Sequence, residues 1–142
     1  MQPHYWSIEQ LPGVKQQEQE LLKSHGIIST RELIEQANSP HKQEILAAQL
    51  KLNLKHIQKW VALADLARLP SVGCQYCGLI LHSGVISVFQ LAQTPFHLLH
   101  RQVMRLQVAT LHRKDLSPSV DLVKRWVEEA KLLTKTTNTK KR

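Results

Sequence analysis

With 142 residues, the chain can hold one domain or two small units sharing a core, and its apolar fraction of 42% supports a packed interior rather than disorder. No segment approaches the roughly 18 apolar residues of a membrane span, and the opening MQPHYWSIEQ lacks the basic flank and apolar run of a signal peptide. The net charge of +8 is uneven: residues 1–50 carry 4 basic and 6 acidic side chains, residues 51–100 carry 4 and 1, and residues 101–142 carry 11 and 4. That gradient favours an anionic partner, whether nucleic acid, an acidic protein or a membrane surface. A basic end that only solvates the chain is the plainer alternative.

In chain order, Ser7 is placed to cap a short helix ending near Leu11, with Trp6 folding back on that turn as a hydrophobic staple. Pro12-Gly13 breaks the chain, and a helix follows from about Lys15 to Ser24, stopped by Gly26 in a left-handed cap. Ser29 with Glu32 forms a capping box for the next short helix, and Ser39-Pro40 opens another as N-cap and first helical residue. An amphipathic helix, LKHIQKWVALADL, then begins at Leu54. The same signals return: Pro70-Ser71, a helix from about Cys74 to His82, Gly84, Ser87 with Gln90, Thr94-Pro95, Ser117-Pro118, and VDLVKRWVEEAKL from Val120. No window alternates as a strand would, so the class is all-α.

The recurrence is an internal repeat. Leu11–Leu33 and Leu69–Leu91 align without a gap and agree at 9 of 23 positions, among them Pro12 and Pro70, Val14 and Val72, Gly26 and Gly84, and Ile28 and Ile86. In the closing helices Ile57, Trp60, Val61 and Ala64 correspond to Val123, Trp126, Val127 and Ala130, with extra residues in the second copy around His112 to Ser117. Both tryptophans sit in helical apolar patterns and read as core.

A short helix, a Leu-Pro-Gly-Val hairpin, a helix, Gly-Ile or Gly-Val and a capped helix resemble the pattern of helix-hairpin-helix domains. Over roughly residues 8 to 133 the chain resembles a helix-hairpin-helix-related family of unknown function found in bacteria, prominently cyanobacteria. The resemblance implies a compact helical fold and binding to nucleic-acid backbones without sequence specificity. The expected architecture is two tandem diverged helix-hairpin-helix-like repeats packed on a shared core. Residues 1–7 form an N-terminal extension, 8–68 the first repeat, 69–133 the second, and 134–142 a disordered basic tail.

A phosphate-binding hairpin of this type reads hydrophobic-Gly-hydrophobic-Gly, its glycines letting backbone N–H groups approach the anion. Each copy here keeps one glycine. Lys15 stands at the second glycine position of the first hairpin, with Glu18 and Glu20 nearby to repel an anion. The second hairpin offers Arg68, Ser71 and the Gly73 and Cys74 amides. Phosphate clamps and mere folding corners both remain open.

A stronger electrostatic footprint lies on helices: Lys51, Lys55 and Lys59 as one stripe, Lys124, Lys131 and Lys135 as another, and Arg101 with Arg105 one turn apart. Arg113 and Lys114 in the following loop and Lys140, Lys141 and Arg142 in the tail extend it. A solvated face opposite the core is the alternative.

Cys74 and Cys77 form a lone C-x-x-C, and His82, His97 and His100 have no zinc-finger spacing, so ordinary cytosolic thiols are expected, with no metal and no cofactor. No catalytic constellation appears, and no enzyme is expected. The reading is a non-catalytic, cytoplasmic helical module that binds DNA or RNA backbone through Lys15, Arg68, Ser71, Gly73, Arg101, Arg105, Arg113, Lys114, Lys124 and Lys131. The alternative is an interaction or assembly factor docking on an acidic protein surface, which for a cyanobacterial-type chain would suit a photosynthetic complex.

Overall fold

The structure, a computed structural model, describes the backbone of residues 1–111 and 118–140 and the side chains of residues 1–107 and 118–135. A 3-10 turn at Ile8–Gln10 leads into α1 (Gln16–Ser24), α2 (Thr30–Gln36), α3 (Pro40–Leu50) and α4 (Leu54–Leu66). Then come α5 (Gly73–His82), α6 (Val88–Gln93), α7 (Phe96–Leu111) and α8 (Val120–Lys140). Among the described residues the only extended pairing is an isolated antiparallel bridge between Ser7 and Ser29. The fold is all-α.

Local chemistry sets the helix ends. At α2 the Glu32 carboxylate accepts the Ser29 N–H (3.0 Å) and hydroxyl (2.6 Å), while Ser29 Oγ accepts the Arg31 N–H (3.2 Å). These donors hold Glu32 below its usual carboxylate range, the Ser29 hydroxyl contributing most. Ser39 Oγ accepts the Lys42 N–H at the start of α3, and Asn53 Oδ1 accepts the Lys55 N–H at the start of α4. α1 and α5 end alike. Gly26 (φ 81°) and Gly84 (φ 101°) turn left-handed, and the next residues, Ile27 and Val85, donate back to Leu22 O (2.9 Å) and Ile80 O (3.3 Å).

Two caps differ from the sequence expectation. The Thr94 hydroxyl donates to Gln90 O, closing α6 rather than opening α7. At α8 it is Ser119 Oγ that accepts the Leu122 N–H, while Ser117 lies outside the described residues. Of the residues expected as a disordered tail, 134–140 continue α8, with Leu133 buried and the Thr134 hydroxyl bonding Ala130 O, and 141–142 lie outside the described residues.

α2 and α3 pack on α4; α6 and α7 pack on α8; α4 meets α5 and joins the two halves. One contiguous cluster of buried side chains runs through both, including Leu66, Ala67, Leu69 and Val72 at the junction. Inside it the Trp60 indole N–H donates to Gly13 O (3.3 Å), and the Trp126 indole N–H donates to Ser71 O (3.1 Å). Gly13 and Ser71 are matched positions of the aligned segments.

The N-terminal segment is part of this packing. Trp6 reaches beyond the first turn to the second half. Its indole N–H donates to Ala67 O (2.8 Å), its ring stands 3.0 Å from where a Cβ on Gly73 would lie, and the His4 N–H donates to Arg68 O (2.7 Å). Trp6 and Thr30 also exchange hydrogen bonds, so residues 4–7 tie the start of the chain to α2 and to the α4–α5 junction.

Because the core is shared, a fragment of residues 1–64 should be unfolded or self-associated by circular dichroism and sedimentation; a stable monomeric fragment would contradict this. Trp126→Phe should lower unfolding free energy by about 1–3 kcal/mol in denaturant titration, because Ser71 O loses its buried donor. A change below about 0.5 kcal/mol would show that this bond carries no weight.

Candidate functional site

The residues expected at the two hairpins are brought near the expected backbone, but most of their donors are already committed. Lys15 is exposed at the N-cap of α1, and its N–H donates to Glu18 Oε1 (2.9 Å). The other Glu18 oxygen faces His56 Nδ1 at 3.7 Å. In the second hairpin both the Ser71 N–H (3.0 Å) and the Ser71 hydroxyl (2.7 Å) donate to Glu129 Oε1 on α8. The Gly73 N–H donates to Leu69 O (3.0 Å), and Trp6 covers the face that its missing side chain would leave open. Arg68 is paired with the Asp65 carboxylate and also donates from Nε to Asp65 O (3.2 Å). A carboxylate of the protein thus stands at each hairpin where an outside anion would have to go. Glu18 was visible at short range in the sequence. Glu129 lies 58 residues from Ser71 and was not.

The helical cations are arranged differently. Arg101 and Arg105 project from the exposed side of α7, opposite the buried Leu99 and Val103. Lys124 and Lys131 are exposed on α8, opposite Val123, Trp126, Val127 and Ala130; Arg125, not singled out from the sequence, joins them. Lys124 Nζ sits 5.6 Å from the centre of the Phe96 ring, placing the start of α7 beside this part of α8. Arg113 and Lys114 lie outside the described residues. Lys51 adopts the left-handed conformation (φ 56°) that ends α3, so the stripe expected from Lys51 continues on α4 only as Lys55 and Lys59.

Charge is unevenly divided along the chain. Residues 1–68 carry 8 basic and 7 acidic side chains; residues 69–142 carry 11 and 4. Within the first set Lys23 pairs with Glu9, Arg31 with Glu35 and Arg68 with Asp65, and His56 faces Glu18. Arg101, Arg105, Lys124 and Lys131 form no ion pair among the described residues.

Cys74 and Cys77 are free, one half-buried and one buried, and the described residues contain no cluster of three side chains able to hold a metal ion. Burial pushes Cys74 up to about 11 and Cys77 up to about 12. The unfolded thiols ionise first, so they subtract stability as pH rises above about 9. At pH 8 both should resist iodoacetamide in the native protein and react only once it is denatured; rapid native alkylation of either would contradict this burial.

No curated protein and no solved structure matches the chain, and no helix among the described residues is long and apolar enough to cross a membrane. Residues 12–133, most of the chain, match one family, and the protein belongs to it: Domain of unknown function (DUF4332).

Proposed function

We propose that this protein binds the phosphate backbone of nucleic acid, without sequence specificity, through the outward faces of α7 and α8. The observation that carries the reading is the segregation of charge. Residues 1–68 nearly balance, with 8 basic and 7 acidic side chains, and Lys23, Arg31 and Arg68 pair with carboxylates there; residues 69–142 carry 11 and 4, and Arg101, Arg105, Lys124 and Lys131 stand exposed and without ion pairs among the described residues. Exposed guanidinium and ammonium groups at helical spacing neutralise phosphates and release their counterions, an attraction indifferent to base sequence.

The hairpin order and the matched Trp60 and Trp126 bonds support a helix-hairpin-helix relationship and a tandem repeat. The contacts do not favour the hairpins as clamps. With Ser71 on Glu129, the Lys15 amide on Glu18 and Arg68 on Asp65, these groups act as corners of the fold, and contact with phosphate passes to the helix faces.

The test is fluorescence anisotropy with labelled duplex and single-stranded oligonucleotides of unrelated sequence. Charge reversal of Arg101, Arg105, Lys124 and Lys131 to Glu should weaken binding to all of them alike, on the order of a hundredfold. Lys15→Glu should change it by less than about threefold. Negligible wild-type binding at low ionic strength, or equal loss from Lys15→Glu, would refute the reading.

A further inference from the structure

Between the halves a groove of about 590 Å³ opens along α4, bordered by α2 on one side and by the segment leading into α6 on the other. Its apolar wall comes from Ile34, Val61, Ala62, Leu81 and Ile86. Ile86 is 62% exposed, and Phe89, three residues further on in α6, is 59% exposed. Ile86 carries the apolar surface past the rim, where water meets it at a cost of about 25 cal/mol per Å². A patch of this kind marks an interaction surface more often than chance exposure.

The charge beside the groove is one-sided. Asp65 also borders it, but its carboxylate is taken by Arg68 and by the Val88 N–H at 2.7 Å. Lys59 lines the groove, and Lys55 lies one turn before it on the same helix; both are exposed and form no ion pair among the described residues. A phosphate backbone would find no partner on the apolar wall.

We propose that this groove receives an amphipathic helix from an acidic partner protein. The helix seats its apolar stripe against Val61, Ala62, Leu81 and Ile86 and turns a flank of carboxylates toward Lys55 and Lys59. A helix has the diameter and the i, i+3, i+4, i+7 side-chain row that an open groove of this kind accepts. The surface is separate from Arg101, Arg105, Lys124 and Lys131, and the inference does not rest on the phosphate reading.

The experiment titrates three synthetic peptides into the isotope-labelled full-length chain and follows backbone amide shifts. One peptide is a helix with a leucine stripe flanked by glutamates, the second replaces those glutamates by lysines, and the third scrambles the first. The glutamate helix should move the amides of Ile34, Ala62, Leu81 and Ile86 and bind at least about tenfold tighter than either control. Lys55→Glu with Lys59→Glu should invert the preference toward the lysine helix, and Ile86→Ser, at an exposed position that leaves folding intact, should weaken binding of the glutamate helix several-fold. Charge reversal of Arg101, Arg105, Lys124 and Lys131 should leave it unchanged, so failure of the phosphate reading and failure of this one are distinguishable. Absence of binding, equal binding of the three peptides, shifts confined to other surfaces, or displacement of the peptide by an oligonucleotide would each overturn the proposal.

Discussion

A buried indole N–H can only donate, and leaving it without an acceptor costs more than the bond itself is worth. Trp60 and Trp126 meet that constraint by reaching a hairpin carbonyl, Gly13 O in one half and Ser71 O in the other. Each bond fixes the rotation of a long helix against its hairpin. In α8 the consequence is immediate: with Trp126 turned onto Ser71, Glu129 lies one turn further on, where its carboxylate receives both Ser71 donors. The same rotation turns Lys124, Arg125 and Lys131 outward. The closed hairpin and the exposed cationic face are therefore two results of one docking.

The two halves reach this arrangement by different chemistry. At the position in α4 matching Glu129 stands the buried Leu63, and the first hairpin draws its carboxylate from Glu18 within its own helix. Asp65, at the far end of α4, bonds the Val88 N–H and so fixes the first half to the opening of α6. Residues 1–68 nearly balance at 8 basic and 7 acidic side chains, while residues 69–142 carry 11 and 4, the acids of α8 being Asp121, Glu128 and Glu129. Function on this account belongs to helix surfaces, and the loops that attract notice as motifs serve as joints.

Much of the fold was legible in the sequence because its signals are local. Gly26 and Gly84, the Ser29–Glu32 box and the Ser39-Pro40 start each act within a few residues, and the helical period placed Trp60 and Trp126 in the core. What escaped were contacts between residues far apart in the chain. Nothing near Trp6 announces that it crosses Gly73, and nothing near Ser71 announces Glu129. Lys51 was misplaced for a related reason: its four-residue spacing to Lys55 fits one helix, but the chain turns left-handed at Lys51 and starts again at Leu54. At the candidate site the charge of α7 and α8 could be counted in advance, whereas the exposure of Arg101, Arg105, Lys124 and Lys131 without ion pairs among the described residues could not.

The proposed function assigns phosphate contact to Arg101, Arg105, Lys124 and Lys131, which form no ion pair among the described residues. The most direct measurement is the affinity of the wild-type protein for one oligonucleotide across a salt series. Release of counterions by about four contacts predicts a straight line of log affinity against log salt with a slope of about −3 to −4, the same for unrelated sequences. A slope near zero, or no detectable binding at the lowest salt, would contradict the account.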